Sequence, residues 1–356
     1  MPAKTPFKIA VLDEELALLK MKLDLTRLLN EIDGAGRDYG TSLKEIRRLA
    51  VYWKDGYDGR EHEAQLNIEL PQFTRKSLVP SAIPLLFIHG WPGSFLEVRR
   101  ILPMLVEESA EHPSFHVVAI NLPAFGFSQA PSKKGFAISQ YVETSHKLML
   151  ALGYKEYVTQ GGDWGTFQIA RFMASAYGPK HNKAWHTNCP LPTTPLAHPF
   201  KRPLLFMQHM VTRLSPAEKT GLEMMQWLAK EGQGYFKVQA TQPQSLGYIS
   251  IYWFSRPGPA ASVRIYHEFA KAGTAMDGSG PPIKIPTGYS YFPKELVCTL
   301  ISWFKAKHLV FESEHEADGH FAAYECPEAL VGDLRSMFGK NEPAFSVVEA
   351  HSGFRE

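Results

Sequence analysis

Tyr157-Val158-Thr159-Gln160-Gly161-Gly162-Asp163-Trp164-Gly165 is a short run of strand formers that stops at a glycine pair and opens a helical pattern, Thr166 to Tyr177. A turn this sharp between strand and helix has the small-x-nucleophile-x-small form of a nucleophile elbow, with Asp163 where serine is more usual. The bend strains its central residue, and the glycines keep a Cβ from colliding with strand and helix. Asp163 is then expected to point out at the positive end of the following helix. A Gly-Asp pair also caps helices and closes tight turns, so the weight of the motif depends on what surrounds it.

Outward from this stretch, Leu85-Leu86-Phe87-Ile88 and Phe115-His116-Val117-Val118-Ala119-Ile120 are further apolar runs, with helical patterns at Ser94 to Ala110 and Ile138 to Leu152 between the three. Such alternation predicts an α/β fold with a mostly parallel sheet and helices on both faces. The rhythm breaks after Lys183-Ala184-Trp185-His186. Residues 189–285 are rich in Pro, Gln, Met and aromatics and read as a helical lid inserted over the carboxyl edge of the sheet. Strand-like segments return at Ile285 to Phe292 and His308 to Phe311, and Pro327 to Phe338 closes as a helix with Gly339 beyond it. Leucines at helical spacing in residues 13–32 predict an N-terminal helical region. The expected division is an extension at 1–75, a first core part at 76–188, the lid at 189–285, and a second core part with a tail at 286–356.

Lys and Arg number 38 against 36 Asp and Glu, a formal charge of +2, and 44% of residues are hydrophobic. A balance this even gives no electrostatic footprint for nucleic acid and points to a small, weakly charged partner. The three cysteines, Cys189, Cys298 and Cys326, are too widely spaced for a disulfide framework or a metal-binding pair. No leader-like segment follows Met1, and no run approaches the roughly 18 apolar residues of a membrane span, so a soluble, cytoplasmic protein is expected. His315 and His320 are five apart with Gly319 between them, which breaks the helical spacing a zinc-protease motif needs; no metal and no organic cofactor are expected.

His89-Gly90-Trp91-Pro92-Gly93-Ser94 directly follows the first confident strand, where an α/β-hydrolase fold gathers backbone amides around a developing oxyanion. The expected donors are the N–H groups of Trp91 and Trp164. That fold supplies its triad in the order nucleophile, acid, histidine. Glu295, at the end of one returning strand, and His320, between the last strand and the last helix, fit that order behind Asp163. A carboxylate is already ionised near neutral pH and suits displacement at saturated carbon, leaving an alkyl ester on the enzyme. A histidine then activates water against the ester. A halide leaving group needs only polarising donors, whereas a strained ether oxygen needs a proton, which tyrosines of the lid can give.

Together with Phe292-Pro293-Lys294-Glu295 and Gly319-His320-Phe321-Ala322-Ala323, these segments resemble the microsomal-type epoxide hydrolases, including fungal members without a membrane anchor. Tyr52-Trp53-Lys54 through Leu66-Asn67 and Pro71-Gln72-Phe73 resemble their N-terminal domain, so the likeness spans nearly the whole chain. The resemblance implies Asp163 as nucleophile, His320 as base, Glu295 as its acidic partner, and Tyr235 and Tyr266 as proton donors. It implies a small-molecule epoxide and water as the reactants, and a homodimer is one outcome for the assembly. The chain departs from the pattern in five places. Only nine residues separate Phe73 from Ile83, where a strand pair is customary. The lid is short between Gln239 and Tyr252, Gly59 replaces an aromatic, Asp318 replaces a glycine, and Pro343 to Glu356 is an unfamiliar tail. Two alternatives stand beside this reading: a haloalkane dehalogenase with the same nucleophile and base, which the tyrosine pair argues against, and an inactive hydrolase-fold remnant left by the internal shortening.

Overall fold

The computed structural model describes residues 7–28, 30–34, 41–70, 74–191, 203–211, 214–241, 253–258, 260–273, 282–296, 308–317 and 319–355, with Thr5, Gly36 and Phe200 besides. The chain forms two compact units, Ala3–Gln72 and Phe73–Glu356. In the first, the helices Asp13–Asp24, Leu43–Val51 and Gly59–Glu69 are the described elements of regular length. Asp58 caps the third by accepting from the N–H groups of Arg60 and Glu61. Asn67 on that helix brackets the backbone of Ile9, accepting from its N–H and donating to its carbonyl, both at 2.8 Å.

The second unit is built on seven described strands: β1 Thr74–Arg75, β2 Ile83–Ile88, β3 Phe115–Ile120, β4 Tyr157–Gly161, β5 Asn182–Thr187, β6 Thr287–Tyr291 and β7 Leu309–Glu314, in the order β1-β3-β2-β4-β5-β6-β7. Only β1 runs antiparallel to its neighbour. Every residue of β2 and β3 is buried, as expected of strands covered on both faces, and this explains their unbroken apolar runs. The α/β-hydrolase expectation holds. The helices Ile138–Leu152 and Arg171–Tyr177 follow β3 and β4, and Pro327–Met337 follows β7. The run Lys183 to His186, at which the sequence rhythm breaks off, is itself a strand, β5. Two of its buried polar residues bond to the neighbouring strands: Asn182 Nδ2 donates to Thr159 Oγ1 at 3.1 Å, and His186 Nδ1 lies 2.7 Å from Gln160 Oε1 and its Nε2 3.0 Å from Ser290 Oγ.

Between β5 and β6 the described residues form helices, Pro203–Val211, Pro216–Trp227, Gly234–Thr241 and Arg264–Lys271, and no strand. The short connection between Gln239 and Tyr252 and the Asp318 replacement lie outside the described residues. At the opening of the sheet, one two-residue strand, β1, stands where a strand pair is customary, with Thr74 opposite Val118 on β3.

The tail from Pro343 to Arg355 returns to the feet of β2 and β3. Ser114 N–H donates to Gly353 O and Gly353 N–H to Ser81 O, both at 2.7 Å, and His351 Nδ1 lies 2.8 Å from Ala82 O. Ala344, Val348 and Phe354 are buried. Losing Val348 and Phe354 from the core costs about 3–5 kcal/mol at the usual worth of a buried apolar side chain. A chain ending at Glu342 is therefore expected to unfold several degrees lower in a thermal melt, and an unchanged Tm would show that the tail holds nothing.

Candidate active site

The parallel strands present their carboxyl ends at one edge of the sheet, and the residues singled out in the sequence lie just beyond those ends. Ile88, the last residue of β2, sits opposite Gly161, the last of β4, so the two following turns start level with each other. In the turn after β4, Asp163 takes φ +46°, a left-handed backbone that a non-glycine residue adopts only when its surroundings impose it. The bend presses against β2: a Cβ on Gly165 would lie 2.0 Å from Ile88 O, and one on Gly90 would lie 2.3 Å from Asp163 Oδ1. The Trp91 N–H donates to Asp163 Oδ1 at 2.7 Å, and the Trp164 N–H also bonds the carboxylate.

His89 fixes the turn that carries Trp91. Its Nδ1 lies 2.8 Å from Gly90 O, so it must donate, and its Nε2 accepts from the Leu122 N–H at 3.1 Å. With one nitrogen donating and the other accepting, the ring is held neutral. Burial draws it down to about 4.

Glu295 follows β6 and His320 follows β7. His320 Nδ1 is 2.6 Å from Glu295 Oε1, which also accepts from the Leu296 N–H at 2.7 Å. The other ring nitrogen, Nε2, faces Asp163 Oδ2 at 3.7 Å, an ion-pair separation longer than a hydrogen bond. Burial alone lowers the imidazole, but Glu295, Asp163 and Glu97 together lift it to about 9. Asp163 itself is raised because burial outweighs the opposing pull of His320 and the two amides. The His320 loop is pinned from below by Asn188, whose Nδ2 donates to His320 O at 3.3 Å while Gln160 Nε2 holds its Oδ1 at 2.9 Å.

Tyr235 and Tyr266 come from two lid helices and meet over Trp91. The Tyr235 ring stacks on Trp91 with centroids 6.0 Å apart and planes 8° from parallel. Tyr266, buried, stands edge-on to Trp91, Trp164 and Tyr235 at 5.5, 4.8 and 6.2 Å. Burial first, and then the charge of Asp163, push the Tyr235 phenol up to about 12, so it stays protonated. The Trp91 indole N–H is given to Ser262 Oγ at 3.3 Å.

The structure thus brings together all five candidate side chains and both amides. Sequence reasoning missed Asn188, Ser262 and Glu97. Ser94-x-x-Glu97 has the pattern of a capping box, which gives the glutamate a structural reason to be there. Among the described residues, no cluster of three or more His, Cys, Asp or Glu is arranged to hold a metal ion, and no helix is long and apolar enough to cross a membrane.

Residues 4–98 match the family model of the epoxide hydrolase N terminus, and residues 83–227 that of the alpha/beta hydrolase fold. The chain is 32% identical to juvenile hormone epoxide hydrolase 2 of Ctenocephalides felis over an alignment covering 94% of this chain and 85% of that one. It belongs to the epoxide hydrolase family. Epoxide hydrolase 1 of Sus scrofa is 29% identical, with 94% of this chain and 88% of that protein covered. The epoxide hydrolase structure from Aspergillus niger superposes with a TM-score of 0.77 at 28% identity, covering 93% of this chain and 95% of the other.

The imidazole of this epoxide hydrolase owes its raised pKa first to Glu295 among the groups that lift it. In Glu295→Gln the His320 resonance in an NMR titration is expected to move down from about 9 toward the ordinary histidine value; a midpoint that does not move would show that Glu295 leaves the ring's charge unaffected.

Proposed function

We propose that this epoxide hydrolase opens small to medium apolar epoxides to vicinal diols through an ester on Asp163. One observation carries the reading: the Asp163 carboxylate has Oδ1 on the Trp91 amide and Oδ2 turned to His320 Nε2, beneath two tyrosines of the lid. Oδ2 attacks an epoxide carbon as the C–O bond of the ring breaks, and Tyr235 or Tyr266 protonates the departing oxygen. The ester's carbonyl oxygen is then Oδ1, already on backbone donors. When water attacks the ester carbon, negative charge grows on that atom, where the Trp91 and Trp164 N–H groups stabilise it.

The protons balance over the cycle. The resting site pairs an aspartate with a protonated imidazole, consistent with the value of about 9 for His320. Esterification removes the Asp163 charge, so the imidazolium becomes more acidic and its proton converts the tyrosine phenolate back to the phenol. The neutral Nε2 then accepts a proton from the attacking water, and ester cleavage returns aspartate, imidazolium and diol. Hydrolysis of the ester accordingly quickens with rising pH, with an apparent pKa below about 9 because one of the carboxylates that lift the ring is neutralised.

A dehalogenase reading shares the nucleophile and base but wants indole N–H groups facing a halide, and the Trp91 indole N–H faces Ser262 instead. The deciding experiment is repeated turnover of styrene oxide in heavy-oxygen water, followed by peptide mass analysis. Label is expected in the Asp163 carboxyl of the active chain, and Asp163→Ala is expected to form neither ester nor diol. Tyr235→Phe with Tyr266→Phe is expected to slow ester formation from the epoxide by about 100-fold or more, the typical worth of a positioned acid. Diol formation without label in Asp163 would overturn the mechanism. An intact fold with no turnover of any epoxide tested would favour the remnant.

A further inference from the structure

The turn that carries Trp91 is pressed between two carboxylates, of which the reaction above uses one. Asp163 lies against Gly90. Glu97 lies against Gly93, where a Cβ would fall 1.7 Å from Glu97 Oε1, so glycine leaves the space that this carboxyl fills. The turn is closed by a bond from Gly93 N–H to Gly90 O at 3.1 Å, which keeps the two contacts next to each other. Glu97 accepts from the backbone N–H groups of Ser94 and Gly90. The Ser94 hydroxyl caps the helix by accepting from the Leu96 N–H at 3.2 Å, and the bond from the Ser94 N–H accounts for part of the Glu97 carboxyl. It does not account for Oε1, which is buried and has no hydrogen-bond partner. A buried acceptor without a partner is costly, and one beside a reaction centre that must hold water is explained by that water.

Resting on the Asp163 reading, we propose that Glu97 is a catalytic residue of the hydrolytic half-reaction: its free Oε1 accepts one O–H of the attacking water while His320 Nε2 accepts the other. Two acceptors fix both hydrogens of the water and so turn an oxygen lone pair toward the ester carbon. The water's oxygen bonds to that carbon, one proton passes to Nε2, and the second O–H stays on the oxygen, held by Glu97, until the bond from the carboxyl carbon to the ester oxygen breaks and that proton passes to the departing oxygen, leaving aspartate, imidazolium and diol. The charges agree with this timing. The groups facing Glu97 are Asp163 and His320, and burial first, then the Asp163 charge, lift its carboxyl to about 8 in the resting site. By the time water attacks, the ester has removed the Asp163 charge that raises Glu97 and His320 has lost the charge that lowers it; the Asp163 effect is the larger, so Glu97 becomes a better acceptor at the step that uses it.

Glu97→Gln keeps an oxygen for the helix cap and replaces the free acceptor with an N–H donor; Gly93→Ala drives the native carboxyl away with a single methyl. In rapid-quench single turnovers of styrene oxide read by intact-protein mass, both variants are expected to form the ester within about twofold of the wild-type rate. Both are expected to hydrolyse it at least about tenfold more slowly, so that ester accumulates. Hydrolysis at the wild-type rate in Glu97→Gln overturns the proposal, as does a parallel fall of both steps, which marks a structural acid only. Failure of the underlying reading shows separately, in a wild-type chain that makes diol without passing through any ester.

Discussion

The site depends on one constraint: a carboxylate must be kept at a strained bend, away from bulk water, without losing its charge. Removing such a group from water is expensive unless donors and an opposite charge replace the solvent. Here the replacement is the Trp91 and Trp164 amides on one side and the His320 ring on the other. The amides meet Asp163 because β2 and β4 end level, Ile88 opposite Gly161, because glycine at 165 lets the bend come against the backbone after β2, and because glycine at 90 leaves room for the Asp163 side chain. His89 secures the turn after β2 by holding Gly90 O and Leu122 N–H. Strain at the aspartate is thus sustained by sheet register.

The same constraint sets the electrostatics. His320 faces three carboxyl groups, those of Glu295, Asp163 and Glu97, and their combined effect exceeds the burial that would otherwise strip its proton. An imidazole that rests as a cation is poor at removing protons, but it offsets the charge of the buried Asp163 carboxylate. Esterification of Asp163, as proposed, would reverse the balance by deleting one negative charge. On the proposed reading, the imidazole is therefore switched between counter-ion and base by the chemistry it serves, with no movement of the fold.

Much of this was legible in the chain. β2 and β3 are buried throughout and read as plain apolar runs, and the elbow and the His-Gly-Trp-Pro turn are local patterns whose glycines have one steric explanation. Chain order alone placed Glu295 and His320 at the right edge. β5 was harder, because Asn182 and His186 look like loop residues until their partners on β4 and β6 are known. Glu97 and Asn188 were hidden for a related reason. A glutamate three residues after a serine has a sufficient local explanation, and an asparagine before Cys189-Pro190 has none, so what each one touches emerges only in three dimensions.

The shortened start of the sheet bears on the site less than its length suggests. In the strand order, β1 is separated from the Asp163 strand β4 by both β3 and β2, and the tail secures the feet of those two through Gly353. The strands that lead to Asp163, Glu295 and His320 lie toward the other side, among β4 through β7. They are cross-linked by buried polar pairs, from Gln160 to His186 and from His186 to Ser290, and by a half-buried one from His315 to Asp333 on the closing helix. Such pairs tolerate little slippage, since one residue of register shift would leave each member buried without a partner. The edge of the sheet can therefore vary in length while the spacing of Asp163, Glu295 and His320 is held by bonds that the edge does not share.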